Sequence, residues 1–171
     1  KVVGSMGKIR YGVLGASEDD ALFTVDGLRF TQDGSDYGVA RLLYERKDQG
    51  SAYQGIGLVS TISDHPQSSA QVQGLDYHFL SNTGEWKLDG QVLHSDTEEK
   101  AGGLGGHLDV TFRPSRRIQV NFSAAHYDDR LDLNDVGYLR RNDLTDFWLQ
   151  TEYRRYDYGW ARKVYLNGFV S

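Results

Sequence analysis

The 171 residues predict an all-β fold, an antiparallel up-and-down transmembrane β-barrel of which they supply one part. Three observations predict it. Nine segments alternate apolar and polar residues with a period of two, the strand signature, and none shows a helical period. Short connections alternate with long polar ones, as they do in barrels with tight periplasmic turns and long extracellular loops. Aromatic residues crowd near the segment ends, where amphipathic rings would form girdles at the two bilayer interfaces.

The composition agrees. Twenty glycines, eleven tyrosines, three tryptophans and two prolines suit strands and turns better than helices. A net charge of −5 gives no basic field for nucleic acid. The absence of cysteine excludes disulfides, thiolate metal sites and a cysteine nucleophile. No apolar run approaches the roughly 18 residues of a spanning helix, which leaves strand-built membrane proteins open.

The expected strands span residues 7–16, 37–46, 52–62, 70–80, 84–95, 103–113, 117–127, 144–155 and 160–170. "GEWKLDGQVLHS" shows the pattern: Trp86, Leu88 and Val92 on one parity, Lys87, Asp89 and Gln91 on the other. The segment at 160–170 mixes its faces. Short turns fall at 47–50, 81–84, 113–116 and 156–159, and long connections at 17–36, 64–70, 95–103 and 128–143. Nine strands is an odd number, whereas closed bacterial barrels usually have an even one. The chain is therefore expected to be a single segment, 1–171, of a longer barrel, or the count is off by one.

Alternation alone does not say which parity faces a core. In a soluble barrel the apolar parity fills the interior; in a membrane barrel it faces lipid and the polar parity lines the lumen. The aromatic girdle favours the second layout, carried by Tyr37, Tyr44, Tyr53, Phe79, Trp86, Phe112, Tyr127, Tyr153, Tyr156, Tyr158 and Trp160. The residues expected to line the lumen and meet solute are then Arg41, Asp76, His78, Lys87, Asp89 and Gln91. His107, Asp109, Glu152 and Arg154 join them.

At 135–143 the chain reads "DVGYLRRND". This resembles a motif, acidic-Val-Gly-aromatic-Leu-Arg-Arg-x-Asp, in a family of bacterial outer-membrane barrels of unassigned function. In that family a carbohydrate-binding-like sandwich of the family-nine type precedes the barrel. Residues 10–16, 37–45 and 74–95 also resemble its strands. The resemblance implies a bacterial outer-membrane location and marks Gly137, Tyr138, Arg140, Arg141 and Asp143 as a loop motif. It transfers no activity. Read from the residues alone, Gly137 permits an unusual backbone angle, and Arg140 and Arg141 suit a carboxylate, a sugar phosphate, or acids of the barrel's own mouth.

Reactive chemistry is sparse. His65, His78, His94, His107 and His126 show no metal-ligand spacing. "DRLDLNDVG" lacks the twelfth-position acid of a calcium loop. "GGLGG" at 102–106 lacks the Lys-Ser/Thr of a phosphate loop, and its glycines are expected to face a neighbour's bulk. No metal, cofactor or catalytic residue is expected. The function expected is non-enzymatic: a polar-lumen path for a solute, or a membrane anchor for a binding module. Its partners would be outer-membrane lipid and lipopolysaccharide, the remaining strands of the barrel and other envelope proteins, but not nucleic acid. The first alternative is a soluble secreted β-barrel or sandwich that binds carbohydrate on Trp86, Trp148 and Trp160. The second is an outer-membrane hydrolase.

Overall fold

The computed structural model describes every residue except 48, 67, 99–101 and 134–140, and leaves the side chains of 157 and 158 undescribed. The chain forms twelve strands, and no helix occurs among the described residues. Ten make one antiparallel sheet in the order β1 (Val2–Met6), β2 (Ile9–Ser17), β5 (Asp36–Arg46), β6 (Tyr53–His65), β7 (Ser68–Leu80), β8 (Trp86–Thr97), β9 (Gly103–Ser115), β10 (Ile118–Tyr127), β11 (Leu144–Tyr158) and β12 (Ala161–Val170). A separate hairpin pairs β3 (Ala21–Val25) with β4 (Leu28–Gln32). Apart from that hairpin, sequence neighbours are sheet neighbours, so the up-and-down order stands. The sheet is open: no pairing joins β1 to β12 among the described residues.

The strand count of nine is corrected to ten in the main sheet. The missed strand is β1, "VVGSM", which turns into β2 through Gly7 and Lys8 with Met6 opposite Ile9. Gly7 takes a φ of 60°, as the first position of a II′ turn requires. Two long connections are also corrected. Residues 17–36 contain the β3–β4 hairpin, whose Asp26-Gly27 turn has both φ angles positive, at 50° and 83°, the I′ signature. Phe23 and Phe30 stack across it, centroids 5.7 Å apart. The second, 64–70, shrinks to two residues, because β6 runs to His65 and β7 begins at Ser68. Short and long connections therefore do not alternate without exception.

Register assigns the faces. One face carries the apolar parity in rows that cross the strands, such as Tyr11–Leu42–Leu58–Leu75–Val92 and Phe79–Leu88–Val110–Phe122–Leu149. The other carries the polar parity. Burial runs opposite to that of a water-soluble sheet. Along β7, Val72, Gly74 and Asp76 are buried while Gln73, Leu75 and Tyr77 are exposed. Asp76 is 4% exposed, between Leu75 at 48% and Tyr77 at 37%. The same contrast shows at glycines. A Cβ on Gly57, polar side, would meet Asp76 carboxylate oxygens at 2.3 and 2.6 Å, whereas Gly38 and Gly168 on the apolar side face open space. Side chains converge on the polar face, so that face is the concave one.

No second layer covers the sheet. The accessible surface is 12301 Å², against roughly 8,500 Å² for a compact globular protein of this mass. Buried apolar side chains are limited to Ala70, Val72 and Leu131 among the described residues. Leu88, Val110, Val120 and Leu149 do not form a dry centre; Leu149 is exposed and the other three are only half-buried.

Aromatic placement is a partial correction. Tyr44, Phe79, Trp86, Phe112 and Tyr153 stand on the apolar face toward the short-turn end, with Trp86 stacked on Phe112 at 4.1 Å. Tyr37, Tyr53, Tyr127 and Tyr156 are on the polar face instead. At the other end the apolar face finishes in Gln71, Gln73, His94, Asp96 and His126, with Phe147 opposite Ala124, so among the described residues the rings gather mainly at one end.

Candidate functional site

Because a strand's side chains alternate, the register that puts Leu75 on one face puts Asp76 on the other, and all ten expected lumen residues share the polar face. Five of them form a connected chain. Asp76 on β7 accepts a hydrogen bond from Arg41 Nη2 of β5 at 3.0 Å, and Nη1 lies 3.0 Å from its other oxygen. His78 Nε2 lies 3.0 Å from Asp76 Oδ2, and its Nδ1 lies 2.7 Å from Asp89 Oδ1 on β8. Lys87 Nζ lies 2.6 Å from the second Asp89 oxygen. The order is Arg41–Asp76–His78–Asp89–Lys87.

Glycine makes this reach feasible. Arg41 must cross β6 to meet Asp76, and the β6 residues opposite His78 and Asp76 are Gly55 and Gly57. With no Cβ there, the carboxylate leans over the β6 backbone. Asp76 and His78, two apart on one strand, share a face, and Asp89 sits directly opposite His78. Among the described residues, no group of three or more His, Asp or Glu side chains is arranged to hold a metal ion.

The other expected residues are more dispersed. Asp109 lies opposite Asp89, and Gln91 lies between Asp76 and His107. Glu152 and Arg154 pair with each other on β11, and Arg154 also lies over the Tyr165 ring at 5.7 Å. Sequence reading did not foresee the contacts of two further groups, although Gln119, Asn121 and Gln150 read as polar-parity residues. Glu45 takes an ion pair from Arg10 and a hydrogen bond from the Tyr53 hydroxyl at 2.8 Å. A neutral ladder crosses β9 to β12: Asn121 Oδ1 accepts from Thr111 at 3.2 Å and Gln119 at 2.9 Å, and Gln150 donates to Asn167 at 3.4 Å. The signal for both was there, since every member falls on the polar parity.

The third missed feature is an infolded loop. After β10, Asp128 accepts hydrogen bonds from the Leu104, Arg130 and Leu131 amides at 2.9, 3.1 and 2.7 Å. Those backbone donors, the Leu104 amide foremost, hold its carboxyl below the usual carboxylate range against an opposing contribution from burial. Asp128 thereby turns the chain back over the polar face. Leu131 drops onto Gly103 and Gly105, where a Cβ would come within 2.5 and 2.6 Å of it, and is 1% exposed. Ser95 Oγ accepts the Asp132 amide at 2.9 Å. Of the "GGLGG" glycines, Gly103 and Gly105 do face a neighbour's bulk, that of Leu131, whereas Gly102 faces open space and Gly106 lies against the Gln91 backbone.

Of the loop motif, Gly137, Tyr138 and Arg140 lie outside the described residues. Arg141 is exposed, and Asp143 adopts a left-handed φ of 50° with its amide donating to the Asp128 carbonyl at 3.3 Å. The tryptophans offered as a sugar platform do not share a surface. Trp86 is on the apolar face, Trp148 opposite Ser123 on the polar face, and Trp160 in the β11–β12 turn.

A family model described as a domain of unknown function (DUF5916) matches residues 56–169, two-thirds of the chain. No curated protein matches the chain. No solved structure matches it either.

Proposed function

The chain belongs to this family of unassigned function, and we propose that it is part of a bacterial outer-membrane β-barrel, acting without catalysis as a polar solute path or as an anchor for a binding module. The observation that supports the reading is the inverted burial of β7, with Asp76 enclosed between exposed Leu75 and Tyr77. Exposed apolar patches on soluble monomers rarely exceed a few hundred Å². Here an apolar band crosses one face of a ten-stranded sheet, and burying a Leu or Val is worth about 1.5–3 kcal/mol. Something apolar must cover it.

Lipid fits the dimensions. The eight strands from β5 to β12 are 10 to 15 residues long, enough for a tilted span of about 9 to 11. On β8 the apolar parity from Trp86 to Val92 covers about 20 Å, and on β9 that from Leu104 to Phe112 about 27 Å, near the roughly 25 Å apolar band of such barrels. In this reading the short turns face the periplasm, the long connections face outward, and the charged chain and the neutral ladder line the water-filled side. The free sheet edges would be paired by further strands, since bare amides in lipid cost several kcal/mol each.

Fractionating cells that make the full-length protein tests the proposal. Recovery in the outer membrane after carbonate washing, with release only by detergent, is the expected result. A species that stays soluble in buffer without detergent would overturn it. Leu75→Asp is expected to cut membrane yield several-fold, while Gln91→Asp on the opposite face leaves yield unchanged.

A further inference from the structure

We propose that the short-turn end of the polar face holds a recess for an oxyanion, the phosphate or carboxylate group of a small solute. The β9–β10 turn is only two residues long, Arg116 and Arg117, with Ser115 opposite Ile118. The Ser115 hydroxyl accepts from the Arg117 and Ile118 amides at 3.2 and 3.3 Å, which fixes the turn. On β11, the Arg154 amide donates to the Arg117 carbonyl at 2.7 Å, which brings a fourth arginine alongside. Arg113, Arg116, Arg117 and Arg154 border a cavity of about 510 Å³, with Glu152 and Gln119 also on its wall. That volume suits a small ligand and not a polymer.

The charge balance at this recess differs from the rest of the face. Arg10, Arg41 and Lys87 each meet a carboxylate, Glu45, Asp76 and Asp89 respectively. Among the described residues lining the recess the carboxylate is Glu152, already engaged by Arg154. Among the described residues, Arg113, Arg116 and Arg117 meet no carboxylate within ion-pair distance. Like charges gathered around one concavity repel unless an anion sits among them, and guanidinium forks match the paired oxygens of phosphate and carboxylate. The neighbouring Gln119–Asn121–Gln150 ladder offers neutral hydrogen bonds, and Gln150 also donates to Glu152 at 3.5 Å.

The test titrates the full-length protein in zwitterionic detergent with inorganic phosphate, with acetate and with short-chain phosphatidylglycerol, followed by calorimetry. Saturable binding of phosphate or acetate is expected, weakened at least tenfold by Arg113→Gln with Arg117→Gln and unaffected by Lys47→Gln in another short turn. Arg117→Lys, which keeps the charge and loses the fork, is expected to fall between. Circular dichroism of each variant separates lost binding from lost folding. No binding by the parent protein, equal binding by the double variant, or binding of phosphatidylglycerol alone would each overturn the proposal. These titrations do not depend on what covers the apolar face, so their failure leaves the barrel reading standing, and the reverse holds as well.

Discussion

The polar face divides into two halves built on different chemistry. From β5 to β8 it is ionic: Arg41, Asp76, His78, Asp89 and Lys87 in one chain, with Asp76 enclosed above Gly57. From β9 to β12 a neutral ladder crosses it, with Thr111, Gln119, Asn121, Gln150 and Asn167 exchanging hydrogen bonds, and charge gathers at the short-turn end in Glu152, Arg154 and the recess arginines. Asp76, shut away from water, has Arg41 and His78 against it, whereas the ladder's amides carry no charge to be matched. Enclosure sets how much a polar group depends on its partner, because an unpaired buried charge costs far more than an unpaired exposed amide.

Substitutions across the two halves test that dependence. Asp76→Ala is expected to have the largest effect, about 3 kcal/mol, since it strands Arg41 and one side of His78 together. Denaturant unfolding in detergent measures it, and a loss below about 1 kcal/mol would end the contrast between the halves. Gly57→Ala comes next. The new methyl displaces the Asp76 carboxylate, whose oxygens it would otherwise approach to 2.3 Å, at a cost of about 1–3 kcal/mol. In the neutral half, Gln150→Ala is expected to cost about 1 kcal/mol or less, because water replaces its partners.

The smallest effect is confined to the infolded loop. Asp128 has a folded-state pKa below its unfolded value, so its contribution is complete above the unfolded pKa and is lost as pH falls through the folded one. Below about pH 4 the 128–133 segment is expected to exchange its Arg130 and Leu131 amides faster, while the Asp128→Asn variant exchanges fast at every pH. Amide exchange read by mass spectrometry checks both.

Much of this architecture was legible because a period of two leaves little freedom. Once Leu75 faces one way, Asp76 must face the other, and the ten polar residues named from sequence do share a face. Which of them touch was not legible. Arg41 meets Asp76 across an intervening strand, and that contact depends on register and on Gly57, neither of which alternation specifies. The hairpin at 21–32 was missed despite its signal: "ALFTVDGLRF" sets Asp-Gly between apolar residues, but acids and glycines around it read as an ordinary polar loop. The 64–70 connection read as long because His65, Pro66 and Ser68 look like loop residues, yet His65 pairs with Ser68 in the ladder. That glycines at 102–106 would face a neighbour's bulk was legible, but not that Leu131 would seat on Gly103, since a loop's fold-back is decided by the space it finds.

Among the described residues, the backbone of each strand of the sheet comes close only to the strands beside it. Cohesion in such a body runs along a single line, as in repeat proteins, and severing one central ladder would part it into two pieces. The Arg41–Asp76 bridge spans β6 and ties β5 to β7 directly. It works as a stitch that skips a row of the fabric, so a tear starting at β6 meets resistance that backbone pairing alone does not supply.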